Sequence, residues 1–215
     1  GDSGLMRLLV PEEYGGHEVH PAELIGFTKA LAEIHGSTAW VAMTCNEEAE
    51  LVSAYLPPDT CRSLWSGDPS LVIAGSGVAK GKASRASGGW RITGRWNFVS
   101  GCTAANKWVL NSVVADSSPA ELCFTVIDAN PDFIEDTWHT VGLRGTGSHD
   151  VVLDDVFVED DFCSVVPKSF NLIKKFLSKK IKKKCYEVKD LKLESLIDIK
   201  VNFKQVGSDR LTNAI

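Results

Sequence analysis

The sequence predicts an α+β fold: an all-α N-terminal region, then an antiparallel β-barrel-like domain, then a Lys-rich tail of unrelated composition. Three observations predict it. Apolar residues recur at helical spacing through the first 70 residues. From Ser70 onward the pattern changes to short apolar runs, rich in β-branched and aromatic side chains and bounded by Gly and Ser. The charge then reverses: residues 1–166 carry a net −13 and residues 168–215 a net +8, while all six Trp and 17 of the 18 Gly precede Pro167. The expected ranges are 1–69 for the helical domain, 70–162 for the β-domain and 163–215 for the basic tail.

After the turn Tyr14-Gly15-Gly16, Pro21 stands where a first helical position tolerates proline. Leu24, Phe27, Leu31 and Ile34 then form one stripe to be buried. Gly36 is placed to supply a left-handed C-terminal cap. Ser37 or Thr38 caps a second helix that runs to Leu56 and is halted by Pro57-Pro58. A third helix spans Asp59 to Trp65 and ends at Gly67. The expected strands are 71–77, 90–101, 107–115, 122–128 and 151–158, with Gly88-Gly89 and Gly94 marking tight turns. No helical periodicity separates them, which favours an antiparallel sheet over a parallel one with helical crossovers. In the tail, Phe170, Ile173, Phe176, Leu177 and Ile181 show weak helical spacing. Its charge leaves few apolar partners, so a solvated extension that packs poorly on the β-domain is expected.

Composition narrows the function classes. Of 215 residues, 44% are apolar and 24% charged, as in a soluble globular protein. No run approaches the ~18 apolar residues of a membrane-spanning helix. No secretory signal is visible, and a start at Gly rather than Met points to a missing upstream piece. A net charge of −5 disfavours a nucleic-acid partner. Cys45, Cys61, Cys102, Cys123, Cys163 and Cys185 are scattered without any CxxC, which argues for reduced thiols in a cytoplasmic protein and against a metal site. Ala74-Gly75-Ser76-Gly77 lacks GxGxxG spacing, and Gly145-Thr146-Gly147-Ser148 precedes a strand, so neither reads as a phosphate loop. Ser100 and Ser148 lie in no GxSxG elbow, and His149-Asp150 are neighbours in sequence only. The acidic groups Asp154-Asp155 and Glu159-Asp160-Asp161 read as the solvated face and end of a strand. Spacing alone thus stops at an α-then-β protein of unspecified activity.

The order of motifs goes further. Gly4-Leu5 with LLVPEEYGG (8–16), HGSTAWVAM (35–43), WRITGRWNFVSGC (90–102) and GLRGTGSHDVVLDDVFV (142–158) resembles the acyl-CoA dehydrogenase superfamily from about Gly4 to Asp161. The GRWNFVSGC and GLRGTGSHDV forms look most like the flavin-dependent, two-component monooxygenase branch. The dehydrogenase branch carries a TEPxxGSD-like loop where this chain has Ile73–Gly77, and a WIT motif at Phe98-Val99-Ser100. The resemblance implies N-terminal helical and middle β-domains that use reduced flavin (FAD or FMN) and O2 to hydroxylate an aromatic or polycyclic substrate, with a separate flavin reductase as partner.

The resemblance also implies site residues. Phe98 would stack near the isoalloxazine, with Val99 beside it, and Ser100 would offer its hydroxyl or N–H at the N5/O4 edge. The turn Ala74-Gly75-Ser76 would bond the pyrimidine side through its backbone, where small residues allow close approach. No catalytic residue is assigned. In the superfamily a C-terminal four-helix domain supplies the base, further FAD contacts and the tetramer interface, and the Lys-rich tail does not match it. The resemblance therefore implies a truncated, frameshifted or fused chain that holds flavin weakly and turns over little. The alternatives are an FAD-dependent dehydrogenase of acyl-CoA substrates and a non-enzymatic remnant.

Overall fold

The N-terminal half of the fold is organised around one central helix. In the computed structural model, which describes residues 4–167, α1 spans Pro21–Ile34, α2 Gly36–Tyr55 and α3 Pro58–Gly67. The helical spacing expected after Ser169, its weak packing, and Cys185 lie outside the described residues. α1 opens with a reciprocal cap: the His20 side chain accepts from the Ala22 N–H, and the Glu23 carboxylate accepts from the His20 N–H. Leu24 is buried and Phe27 and Leu31 are half-buried, but Ile34 is 82% exposed. The expected stripe therefore ends a turn early, because α1 packs on α2 and not on the sheet.

His35 also replaces the expected caps between α1 and α2. It is extended, with φ −156°, and its Nδ1 accepts from the Thr38 N–H at 3.3 Å, so it ends α1 and caps α2. Gly36 is thereby the first helical residue and takes no left-handed conformation, and neither Ser37 nor Thr38 is the cap. The buried face of α2 is made of small residues, Ala39, Ala42, Cys45 and Ala49, which let the helix approach the sheet closely. Asn46, fully buried on α2, donates to the Leu5 and Ala42 carbonyls and accepts from the Leu8 N–H, tying the N-terminal segment to this helix.

The β-region forms one seven-stranded sheet in the order β5-β6-β2-β1-β3-β4-β7. The strands are β1 Ile73–Ala86, β2 Gly89–Trp96, β3 Lys107–Val114, β4 Glu121–Asp128, β5 Ile134–Glu135, β6 Asp150–Glu159 and β7 Cys163–Pro167. All neighbours are antiparallel except β1 and β3, which run parallel. The sheet is thus mostly antiparallel, as expected, with this one parallel pair as the departure, and chain geometry explains it. The hairpin through Gly88 (φ +76°) returns β2 toward the start of β1. The segment 97–106 then crosses the end of the sheet, so β3 starts level with Ile73 without a helical crossover. The sheet has edges at β5 and β7 and is not closed into a barrel by strand pairing among the described residues. β7 pairs with β4 as far as Pro167, and Val166 is buried there, so the boundary expected after residue 162 falls inside the sheet. The compositional break begins only at Lys168.

Gly94 marks no turn. It lies within β2, facing Gly81 on β1, and together they leave a slot for the fully buried indole of Trp96. A Cβ at Gly81 would lie 2.2 Å from Trp96 Cζ2, and one at Gly94 would lie 2.6 Å from the Gly81 Cα. Gly81→Ala is accordingly expected to lower stability by about 1–3 kcal/mol through overpacking. Urea unfolding checks this, and an unchanged midpoint would contradict it. Around Trp96 the core is built from Trp108, Ile92, Leu110, Val99, Val151 and Leu153.

Candidate functional site

The crossover 97–106 carries the motif residues, and two backbone bonds clamp it. The Val99 N–H donates to the His149 carbonyl at 3.1 Å, and the Gly101 N–H to the Thr146 carbonyl at 2.7 Å. Val99 points into the core and is completely buried, so both its side chain and its N–H are committed inward. Its neighbour is forced outward. Phe98 has φ +60° and is 69% exposed, an unfavourable backbone conformation for a large side chain and an unfavourable place for an apolar one. Its ring meets the edge of Trp138 at 6.0 Å between centroids. Beside it, Asn97 donates to the buried Asp150 carboxylate, which also accepts from Arg95 Nε at 2.7 Å. Arg95 reaches Glu135 as well, at 2.6 Å.

Ser100 is buried in a chain of hydroxyls. Trp40 Nε1–H donates to Ser100 Oγ at 3.0 Å, Ser100 Oγ lies 2.7 Å from Ser148 Oγ, and Ser148 Oγ lies 2.7 Å from Thr146 Oγ1. Thr146 Oγ1 also lies 2.9 Å from the Leu143 carbonyl, which only accepts. The proton of Thr146 therefore goes to Leu143, that of Ser148 to Thr146, and that of Ser100 to Ser148. The chain has one direction, and each of its hydroxyl protons is used. Trp138 Nε1–H donates to the same Leu143 carbonyl at 3.0 Å. Ser100 thus presents an oxygen lone pair rather than a free O–H, and its own N–H is occupied by the Phe98 carbonyl at 2.9 Å.

Ala74, Gly75 and Ser76 lie in β1 rather than in a turn, opposite Trp108, Val109 and Leu110 of β3. They fall within the strand expected over 71–77, which overrides the turn the resemblance implied, and β1 continues past Gly77 to Ala86. Pairing with β2 begins only at Lys82, so the other edge of Ala74–Ser76 stands outside that ladder. Ala74 and Ser76 are buried, and the Ser76 carbonyl accepts from Asn111 Nδ2 at 3.3 Å.

Glu48 of α2 lies against Gly75. A Cβ at position 75 would fall 2.6 Å from the Glu48 carboxyl carbon. Glu48 Oε2 is covered and has no hydrogen-bond partner, although the residue as a whole keeps some solvent exposure. Burial, followed by the charge of Glu47, raises the Glu48 pKa to about 8. One turn earlier, burial and then Glu48 push the Cys45 thiol up to about 12, so it stays protonated.

The two segments expected to form the site thus both pack against α2, Ser100 through Trp40 and Gly75 through Glu48. Sequence reasoning missed Trp40, Glu48, Thr146 and Trp138. Only the HGSTAW motif hinted at Trp40. His149 does not serve Ser148: its Nδ1 faces the Thr137 and Trp138 N–H groups and Asp136. No group of three or more His, Cys, Asp or Glu side chains among the described residues is arranged to hold a metal. A cleft of about 570 Å³ lies between α3 and the end of the sheet where β3 starts, lined among others by Asp59, Asp68 and Asp128, and contains none of the expected site residues. The exposed Phe98 ring lies against Trp138, and the covered Glu48 carboxyl lies against Gly75, at two places along α2.

No protein-family model matches the chain. It is 37% identical over 160 residues to the indole-3-acetate monooxygenase of Acinetobacter baumannii, which covers 73% of this chain and 40% of that protein. It is 34% identical over 161 residues to the flavin-dependent monooxygenase oxygenase subunit HsaA of Rhodococcus jostii, covering 73% and 41%. Among solved structures, XiaF from a Streptomyces species, in complex with FADH2 and glycerol, superposes with a TM-score of 0.68 at 33% identity, covering 77% of this chain and 42% of that one. The chain spans about two fifths of the length of the curated relatives it matches.

Proposed function

The chain belongs to the acyl-CoA dehydrogenase superfamily, on the side of the flavin-dependent two-component monooxygenases, and from that premise we propose that it binds reduced flavin for the O2-dependent hydroxylation of an aromatic substrate. One observation carries the reading: a large aromatic residue, Phe98, held outward at φ +60° between a buried Val99 and a buried Asp150 network. Strain of this kind persists where the surroundings enforce it, and it clusters at ligand sites. When bound, reduced flavin supplies the two electrons with which O2 delivers one oxygen atom to the ring and the other to water.

The residues of this chain position the ring. Phe98, with Trp138 against it, provides an apolar face. Ser100 sets an acceptor at the ring's polar edge, its orientation held by the one-way hydroxyl chain. The open edge of Ala74–Ser76 supplies backbone groups to the pyrimidine side, and Val99 acts as the buried anchor rather than a contact. Reduced flavin reaches the site from a separate reductase in the cytoplasm, and these residues alone hold it weakly.

A flavin titration followed by fluorescence tests this reading. Phe98→Ala is expected to weaken binding about tenfold, a loss of ~1.4 kcal/mol. Ser100→Ala is expected to weaken it further, because it also strands the Trp40 N–H and removes the donor to Ser148 Oγ. Binding that is indifferent to both substitutions, or no binding at all, would overturn the placement. Hydroxylation dependent on NADH and a reductase separates this reading from a dehydrogenase, for which acyl-CoA would bleach bound FAD instead.

A further inference from the structure

Trp40, Thr44 and Glu48 stand at i, i+4 and i+8 on α2, and Val41, Cys45 and Glu48 follow at i, i+4 and i+7, so they share one side of the helix. That side meets both parts of the candidate site. Trp40 donates to Ser100, and Val41 and Cys45 lie under Gly101, where a Cβ would sit 3.0 Å and 3.5 Å from their side chains. Glu48 meets Gly75. At 1.5 Å rise per residue, Trp40 and Glu48 are about 12 Å apart along the axis, so α2 spans the site from the crossover to β1.

Glu48 is the residue on this side whose polar group is left over. No cation faces it. The charge acting on it is that of Glu47 on its own helix, and Gly75 of β1 lies against it. A covered carboxyl in such surroundings keeps its proton, and a neutral carboxyl has an O–H to donate. No group among the described residues bonds to its Oε2.

We infer that Glu48 is a ligand-binding residue whose carboxyl group donates a hydrogen bond to an oxygen carried on the planar ring bound between α2 and β1. The inference rests on the ring-binding reading above. The absence of a side chain at Gly75 makes room for the Glu48 carboxyl itself, and the partial exposure of Glu48 leaves an approach to it. Two rings carry such an oxygen, the flavin through its pyrimidine carbonyls and the substrate through a phenolic group.

The test uses the full 215-residue chain as wild type, Glu48→Gln and Glu48→Ala, titrated separately with FMN and with phenol at about pH 6 and about pH 9. The expected result is that wild type loses about tenfold in affinity for one of the two between these pH values. Glu48→Gln, whose amide still donates, should keep the low-pH affinity within about threefold and show no such loss. Glu48→Ala should bind about tenfold more weakly at low pH and also lack the pH dependence. A response confined to FMN identifies the flavin carbonyl as the acceptor, and one confined to phenol identifies the substrate. The inference is overturned if wild type and Glu48→Gln lose affinity in parallel, or if Glu48→Ala binds both ligands like wild type. Binding that depends on Phe98 but not on Glu48 overturns this inference alone, whereas binding of neither ligand by wild type overturns the ring-binding reading with it.

Discussion

Trp96→Ala is expected to destabilise the protein by about 3–5 kcal/mol, the range for deleting a buried indole. The expected loss lies at the upper end for two reasons. The indole is fully buried against Gly81 and Gly94, where no side chain is available to collapse into the space. Its Nε1–H donates to the Asn111 carbonyl at 2.7 Å, which is left without that donor in the variant. Trp96→Phe retains most of the apolar contact and is expected to cost less, about 1–3 kcal/mol, for the lost hydrogen bond and the smaller ring. Urea denaturation followed by tryptophan fluorescence and circular dichroism measures both. A Trp96→Ala loss below that of Gly81→Ala would show that the slot between β1 and β2 is not a keystone of the sheet.

The second large effect concerns pH. Glu48 has an ordinary carboxylate pKa near 4.5 in the unfolded chain and one of about 8 in the folded protein. Between those values the folded state holds a proton that the unfolded state has released. Stability therefore falls as pH rises from about 4.5 to about 8 and levels off above that. At 1.36 kcal/mol per pKa unit, a rise from 4.5 to about 8 corresponds to roughly 5 kcal/mol across the window. Glu48→Gln removes the titration, so the difference in stability between wild type and this variant should change across the same window. Using the difference cancels groups of opposite sign such as Asp68 and Asp160, whose pKa values are lowered chiefly by hydrogen bonds from Ser70 and Arg85. A difference that stays flat from about pH 5 to about pH 9 would contradict the burial of this carboxyl.

Much of the fold is legible in residue patterns, because local physics decides it. Pro21 and Pro58 open helices and Pro57-Pro58 closes one, as a ring-locked φ and a missing N–H require. The runs around Ile92, Trp108, Phe124 and Leu153 are strands, because β-branched and aromatic side chains recur there between turn formers. The two-residue β5 and the five-residue β7 carry too short a pattern to be read in advance. The caps at His35 were illegible for a different reason: an imidazole that accepts from a backbone N–H does so through its tautomer and rotamer, which residue type does not reveal.

The candidate site divides in the same way. Motif order alone placed Phe98, Val99 and Ser100 in one segment and Ala74, Gly75 and Ser76 in another, and the relatives named above agree with the family it implied. Sequence by itself also determined where helices give way to strands, and that apolar strand residues must find a common core. It did not determine that β3 runs parallel to β1, since that depends on where the β1–β2 hairpin leaves the chain. Nor did it determine that Ser100 ends up one hydrogen bond from Trp40, sixty positions away, or that the Glu48 carboxyl is buried against Gly75. These were decided only by the tertiary structure. A side chain's protonation state and its unsatisfied bonds depend on what packs against it, and the partners here come from parts of the chain that no local pattern connects.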